Sequence, residues 1–427
     1  MLVFLAFFSQ SFIEETVIQN RSKVDQSIPS NAGYISQTII YGTFLFSNLV
    51  APPIVGILGC RWSLVIGSLT YTLLMANFIV LSTPFLYIAS ALEGFGSGIL
   101  WTAVGHYLSL CSDDHNIGKN SSLVWVWHTS GLIFGGIFLL VVFGLTPDRD
   151  IDESTIRILY GSFTIVALLG NIVFAFLRTP KEEVDYRSQA GSYKDELVST
   201  FRLFFTTDMA LFSVTSAFAG MEMSFWSGVY PTALSFTKSF TMNTKMLVGC
   251  NSIAAGIGQI GGSLLFGVYG DRTLRYGRWP IMVVSTILSC VAFLITFLNI
   301  PADSPYEESP ATSIIGPNIT LALLCGVVFG LMDAAVNTQI YSLASVMYRH
   351  STPQAFAISK FFHALLSTIC MYYGSILQIG WQLLLLSIGS IASAVTFFIV
   401  ERKFMQHIQS NVDHILELER RNIIQIE

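Results

Sequence analysis

Charge is the scarcest property of this chain. Asp, Glu, Lys and Arg make up 11% of its 427 residues, where an average soluble protein carries roughly 25%. With 52% of residues hydrophobic and 13% aromatic, too little charge remains to cover a soluble core. That excludes a soluble globular protein and points to an integral membrane protein. An excess of basic residues is also missing. A net charge of −5 offers nucleic acid no counter-charge, so no nucleic-acid partner is expected. The six cysteines (Cys60, Cys111, Cys250, Cys290, Cys325 and Cys370) form no CxxC pair and fall within or at the ends of apolar runs. They read as small core residues, not as a disulfide framework or a metal site. No P-loop, HExxH or nucleophile elbow occurs. Neither an enzyme nor a cofactor is expected, and any transport would be driven by gradients rather than by ATP.

What the chain has instead is apolar runs. Crossing a hydrocarbon core about 30 Å thick takes roughly 20 mostly apolar residues as a helix. That ruler gives twelve expected spans, near 2–18, 34–58, 63–81, 84–110, 120–143, 155–177, 207–236, 245–269, 280–298, 319–342, 353–377 and 378–400. They must be helices, because an open sheet edge cannot be satisfied in lipid. The first run resembles the apolar part of a signal peptide. It is followed by Glu14 and Glu15 and not by a small-residue cleavage site, so it is taken as a shortened first span. The polar stretch 178–206 divides the spans six and six. The expected organisation is an N-terminal six-helix bundle (1–177), a central loop (178–206), a C-terminal six-helix bundle (207–400) and an amphipathic tail (401–427).

Lys and Arg placement sets the orientation. With both termini in the cytosol, fifteen of the 22 Lys and Arg residues fall on the cytosolic side, six on the other, and Lys360 remains inside a span. The loop 299–318 has no basic residue and suits the lumenal or extracellular face. Sequons stand at Asn20, Asn120 and Asn318. Asn20 and Asn318 face outward and are candidate glycosylation sites, while Asn120 falls on the cytosolic side and should stay bare. The compartment, plasma membrane or endomembrane, stays open.

One turn concentrates the scarce charge. Residues 267–280 read GVYGDRTLRYGRWP, with Asp271, Arg272, Arg275 and Arg278 set among Gly267, Gly270 and Gly277. An N-half counterpart, GILGCRW at 56–62, matches Gly56, Gly59 and Arg61 to Gly267, Gly270 and Arg272 at a constant offset. Asp271 suits the positive N-terminal end of a neighbouring helix and an arginine partner. The glycines allow close helix approach. Such a cluster serves either as a conformational latch on the cytosolic side or as a plain positive-inside anchor.

The pattern G-x-x-x-D-R-x-x-R-x-G-R at 267–278 resembles the signature turn of the major facilitator superfamily. LWTAVGHYLSLCSDDHNIGKNSSLVW (100–125), FAGMEMSFWSGVY (218–230), GLMDAAVNTQ (330–339) and PQAFAISKFF (353–362) are similar to the Unc-93-like branch of that superfamily. The resemblance runs from the first span to Glu401. It implies an all-α polytopic membrane protein with a major facilitator-type fold, about twelve helices in two six-helix bundles. It does not imply a substrate. Members of the branch include regulators of potassium channels and trafficking chaperones of receptors.

Ionisable groups inside spans are costly and mark functional sites by default. Four qualify: Glu93, Glu222, Asp333 and Lys360. Asp333 and Lys360 lie at similar depth on consecutive spans, which suggests a buried pair. Asn337, at i+4 from Asp333, shares its face. Such a pair is either structural, fixing helix register, or functional. Glu222 has no cation at its depth, and a carboxyl group kept from water takes up a proton readily. In the resembled fold spans 7 and 10 line the central cavity, so Glu222 and Asp333 lead the ion- or substrate-coupling candidates. Glu93 has Gly94, Gly96 and Gly98 beside it, which suggests tight packing. His106, His128 and His363 lack metal-ligand spacing. Gly256, Gly258 and Gly261 form a G-x-G-x-x-G inside span 8, with no strand before it. Gly258 and Gly262 instead offer a helix-packing face, as do Gly94/Gly98 and Gly131/Gly135. Two functions follow from the residues and the resemblance. One is a secondary transporter of an unknown small solute or ion working by alternating access. The other is a transporter-shaped regulator or trafficking partner of another membrane protein.

Overall fold

A computed structural model describes residues 1–111, 117–145, 153–179, 193–273, 277–348 and 351–424. Long helices dominate. They are α1 (Leu2–Val24), α2 (Ala32–Leu58), α3 (Cys60–Asn77), α4 (Thr83–Leu110), α5 (Ile117–Leu145) and α6 (Glu153–Ala175) in the first half. In the second half α7 is composite: Thr207–Ser224, a π-helical turn Phe225–Val229, and Tyr230–Phe236. It is followed by α8 (Thr244–Thr273), α9 (Trp279–Asn299), α10 (Ile319–Met347), α11 (Thr352–Gly374) and α12 (Ile379–Ile424). Among the described residues nine helices are long and apolar enough to cross a membrane. The long helices α4, α7 and α8 complete the twelve. A short amphipathic helix, Tyr193–Phe204, precedes α7.

Local chemistry explains where the helices start and stop. Gly59 takes φ 82° between α2 and α3, a conformation that side chains with a Cβ avoid. Pro280 and Pro353 sit in the first turns of α9 and α11, where a missing N–H costs nothing. Thr206 and Asn318 cap α7 and α10, accepting from Met209 N–H at 3.4 Å and Leu321 N–H at 3.1 Å. Two ends differ from expectation. The first span ends not near residue 18 but at Val24. The last helix continues unbroken past Glu401 to Ile424, so the tail segment extends α12.

Helix pairing repeats with a period of six. In the first half α1 packs on α5 and α6, α3 on α4 and α6, and α2 on α4. In the second half α7 packs on α11 and α12, α9 on α10 and α12, and α8 on α10. Each of the five pairs recurs six helices later, as two copies of one bundle require. The copies meet along two seams, α2 with α11 and α5 with α8. Lipid supplies no hydrophobic drive between helices, so close packing has to hold them. At the α5–α8 seam Gly136 and Gly249 face each other: a Cβ on Gly136 would stand 2.7 Å from the Gly249 carbonyl. Gly258 lies against the Val327 carbonyl, the packing use expected of that glycine face.

Connections alternate between two ends of the bundle. At one end the 300–318 segment crosses from one half to the other. Tyr34 donates its hydroxyl to the Pro305 carbonyl at 2.7 Å, and Gln19 its amide to the Tyr306 carbonyl at 3.1 Å. The same segment is anchored to its own half by Ser309 N–H to the Phe236 carbonyl (2.9 Å) and by Ile379 N–H to the Ala302 carbonyl (2.9 Å).

Candidate functional site

Acids lie on each of four corresponding helices; α1 carries a second buried one, Glu15, and the acid of α10 is only half-buried. Glu14 lies on α1, Glu93 on α4, Glu222 on α7 and Asp333 on α10. Glu14 is 2% exposed and accepts from the Gln37 amide. Glu93 is fully buried and accepts from the Ser97 hydroxyl at 2.7 Å. That hydroxyl also lies 2.7 Å from the Tyr71 hydroxyl. Asp333 takes one amide on each oxygen: Gln259 Nε2 on Oδ2 at 3.0 Å and Asn337 Nδ2 on Oδ1 at 3.2 Å.

Glu222 differs from the other three. It is 1% exposed, and neither carboxylate oxygen has a hydrogen-bond partner among the described residues. Its helix cannot back away: Gly220, two residues earlier, rests against the His363 carbonyl of α11. One turn later the helix widens into the π-helical stretch Phe225–Val229. The Trp226 ring then lies 6.5 Å from Phe8 and 6.2 Å from Phe12 of α1. A π turn inside an α-helix recurs at functional positions, and this one turns α7 toward the first half. A carboxyl group without donors or counter-charge is costly to ionise there.

The expected Asp333–Lys360 pair is not formed; no ion pair joins them among the described residues. Similar depth does not fix which way a side chain points. Asp333 faces α8 through Gln259, while the Lys360 ammonium sits 5.5 Å from the Tyr341 ring centroid. Tyr341 is eight residues farther along α10, about 12 Å at 1.5 Å per residue. Asn337 does lie on the Asp333 face and bonds it, as its i+4 spacing suggests.

The charged turn is only partly within view. Gly267, Gly270, Asp271 and Arg272 lie on the last turns of α8, and their side chains fall outside the described residues, as does Arg275 altogether. Gly277 has φ 88° two residues before the start of α9, as Gly59 has φ 82° one residue before α3. The two halves therefore match at Gly59 and Gly277, whereas Gly270 lies within a helix. The acid at the α9 N-terminus is one the sequence did not single out. Glu401, 2% exposed on α12, accepts from the backbone N–H groups of Arg278 and Trp279, each at 2.7 Å. The Arg278 guanidinium lies 3.5 Å from Glu401 and donates Nε–H to Ser342 of α10 at 2.7 Å. This ties α9, α10 and α12 together at one end.

Glu14 and Gln259 were also missed. Glu14 appeared close to the end of a short span; with α1 running to Val24 it is central. Gln259 is hidden in a glycine-rich packing face. Asn318, a sequon residue, caps α10, and Asn20 lies in the last turns of α1. Outside the spans, Glu308 lies 3.1 Å from Lys23 and 3.2 Å from Lys238. Partial burial pushes its carboxyl up, but the two ammonium groups outweigh this and hold it below the usual carboxylate value.

A family model described as "Ion channel regulatory protein UNC-93" matches residues 24–398. A protein of Xenopus tropicalis, "UNC93-like protein MFSD11", is 32% identical over 96% of this chain and 96% of its own length. Among solved structures the chain superposes on a D-xylose–proton symporter with TM-score 0.69 at 13% identity, covering 93% of this chain and 95% of that one. It superposes on the nucleoside transporter NupG with TM-score 0.63 at 16% identity, covering 93% and 97%. At such identities these two matches speak for the fold alone: twelve helices of the major facilitator type.

Proposed function

The chain belongs to the UNC-93 family, and from that premise we propose that it is a secondary transporter, moving a small solute by alternating access down or against a proton gradient. Glu222 carries the proposal. Burying a carboxyl group with no hydrogen-bond partner costs stability that a structural role would not require. A proton carrier requires it, because the group must change protonation as its exposure changes. Asp333, oriented by Gln259 and Asn337, is the second coupling acid. Glu93 and Glu14 occupy the corresponding places in the first half. The charged turn, with Arg278 locked by Glu401, serves as the conformational latch at the end that the Lys and Arg bias assigns to the cytosol. Both termini lie at that end.

The test is reconstitution. Proteoliposomes holding the protein are offered a mixed solute panel with and without an imposed pH gradient, and uptake is read by mass spectrometry. Gradient-dependent accumulation of at least one solute, lost in Glu222→Gln and reduced in Asp333→Asn, is expected. If no solute responds to the gradient and another membrane protein co-purifies in stoichiometric amount, the transport assignment fails. The regulatory role in the family model's description would then take its place.

A further inference from the structure

Lys360 makes no ion pair with a coupling acid among the described residues, although its charge is felt at Asp333. It stands eight residues into α11, about 12 Å at 1.5 Å per residue, and no carboxylate of a described residue lies within 4.0 Å of its ammonium. A charge inside a span marks a solute or ion path by default. Its ammonium sits 5.5 Å from the centroid of the Tyr341 ring. From Tyr341 the rings continue across the seam between the halves. Trp125 of α5 is 6.1 Å away, and Trp101 of α4 stacks on Trp125 at 6.0 Å with 25° between planes. His128 stands edge-on to both indoles, at 5.3 and 5.2 Å. These five side chains are all partly accessible, unlike Glu14, Glu93 and Glu222.

We propose that this ring cluster at the seam between the halves binds a small organic anion bearing a planar aromatic ring, with its carboxylate against Lys360 and its ring against the Trp101–Trp125 pair. The proposal presupposes the transport activity above and names its substrate class. Charge decides between anion and cation. The Lys360 ammonium has no carboxylate partner within 4.0 Å among the described residues, and it already occupies the cation position over Tyr341. Asp333, the nearest acid, has an amide on each oxygen. A carboxylate would replace the cation–π contact by a charge-assisted hydrogen bond, the stronger of the two. The binding faces come from both halves: indoles from α4 and α5, phenol and ammonium from α10 and α11. A ligand seated there would bridge the bundles. A monoanion entering with one proton on Glu222 moves no net charge.

Equilibrium binding of radiolabelled indole-3-acetate to the purified full chain tests this. Indole-3-acetamide and tryptamine serve as neutral and cationic competitors with the same ring. Saturable binding is expected, with both competitors at least tenfold weaker than unlabelled indole-3-acetate. Lys360→Met should lose tenfold or more, Lys360→Arg should stay within threefold, and Trp125→Leu should weaken binding. Competition on the unmodified protein needs no variant and stands if Lys360→Met fails to fold. Tryptamine or the acetamide competing as well as the acetate overturns the proposal, as does unchanged binding by a well-folded Lys360→Met. Binding without any gradient-driven flux would uphold the ring cluster as a site and sink the transporter assignment. Gradient-driven flux of another solute without indole-3-acetate binding would do the reverse.

Discussion

Glu401 and Arg278 are joined twice over: the carboxylate accepts the Arg278 backbone N–H at 2.7 Å and lies 3.5 Å from its guanidinium. One acid thus satisfies the exposed N–H groups at the start of α9 and the charge of the residue before it. Helix starts favour negative charge for both reasons. The acid is 123 residues away in sequence, so the contact ties the last helix to the turn.

Removing that acid leaves a buried guanidinium and two N–H groups without partners. Glu401→Ala should cost about 3–5 kcal/mol, the usual penalty for breaking a buried ion pair. Ser342→Ala, which removes one hydrogen bond, should cost about 1 kcal/mol. Thermal unfolding of both variants in detergent checks the ranking; equal effects would contradict it.

Glu222 should show the opposite sign. Replacing it by Met removes an unpartnered buried carboxyl group and should raise stability by about 1–3 kcal/mol, while abolishing the response of transport to a pH gradient. A melting temperature below that of the unmodified protein would show that Glu222 has a structural partner.

Asp333 is held by amides on both oxygens and makes no ion pair with Lys360. Gln259→Leu leaves one of its oxygens bare and should destabilise by about 1–3 kcal/mol. Lys360→Met should leave stability within about 0.5 kcal/mol of the unmodified protein. Melting curves of the two variants side by side decide between an amide-held acid and an ion pair.

The Glu308 triad titrates in acid. Its carboxyl is held below its ordinary 4.5, so its contribution is complete above that value and is lost as pH falls through the lower folded one. The ammonium partners are largely solvated, which limits the effect to about 1 kcal/mol or less. Between pH 6 and pH 3.5 the unmodified protein should lose its small advantage in melting temperature over Glu308→Gln. A constant difference over that range would show that the triad does not form.

Most of the fold was legible in the sequence because the bilayer imposes one ruler on every span. Apolar runs placed the helices, and the rarity of charge within them singled out Glu222 and Asp333. Failures arose where one dimension of information could not do the work of three. Depth matched Asp333 to Lys360, but the direction of each side chain around its helix separated them. Glu401 is far in sequence from the turn it stabilises. Glu14 hid because the first run seemed to stop at residue 18. The π turn at Phe225–Val229 leaves no trace in composition, and the phase shift that one extra residue causes goes unmarked because every residue from Phe225 to Phe236 is buried.

The 300–318 segment carries a mechanical consequence. Its holds on α1 and α2 are few and of one kind: the Gln19 amide, the Tyr34 hydroxyl and the Lys23 ammonium. Its own half grips it by backbone bonds at Ser309 and Ala302. Under the proposed alternating access the segment would therefore travel with the second bundle like the flap of an envelope. Among the described residues its fastenings to α1 and α2 reach it at Pro305, Tyr306 and Glu308, so under the proposed alternating access they would release together.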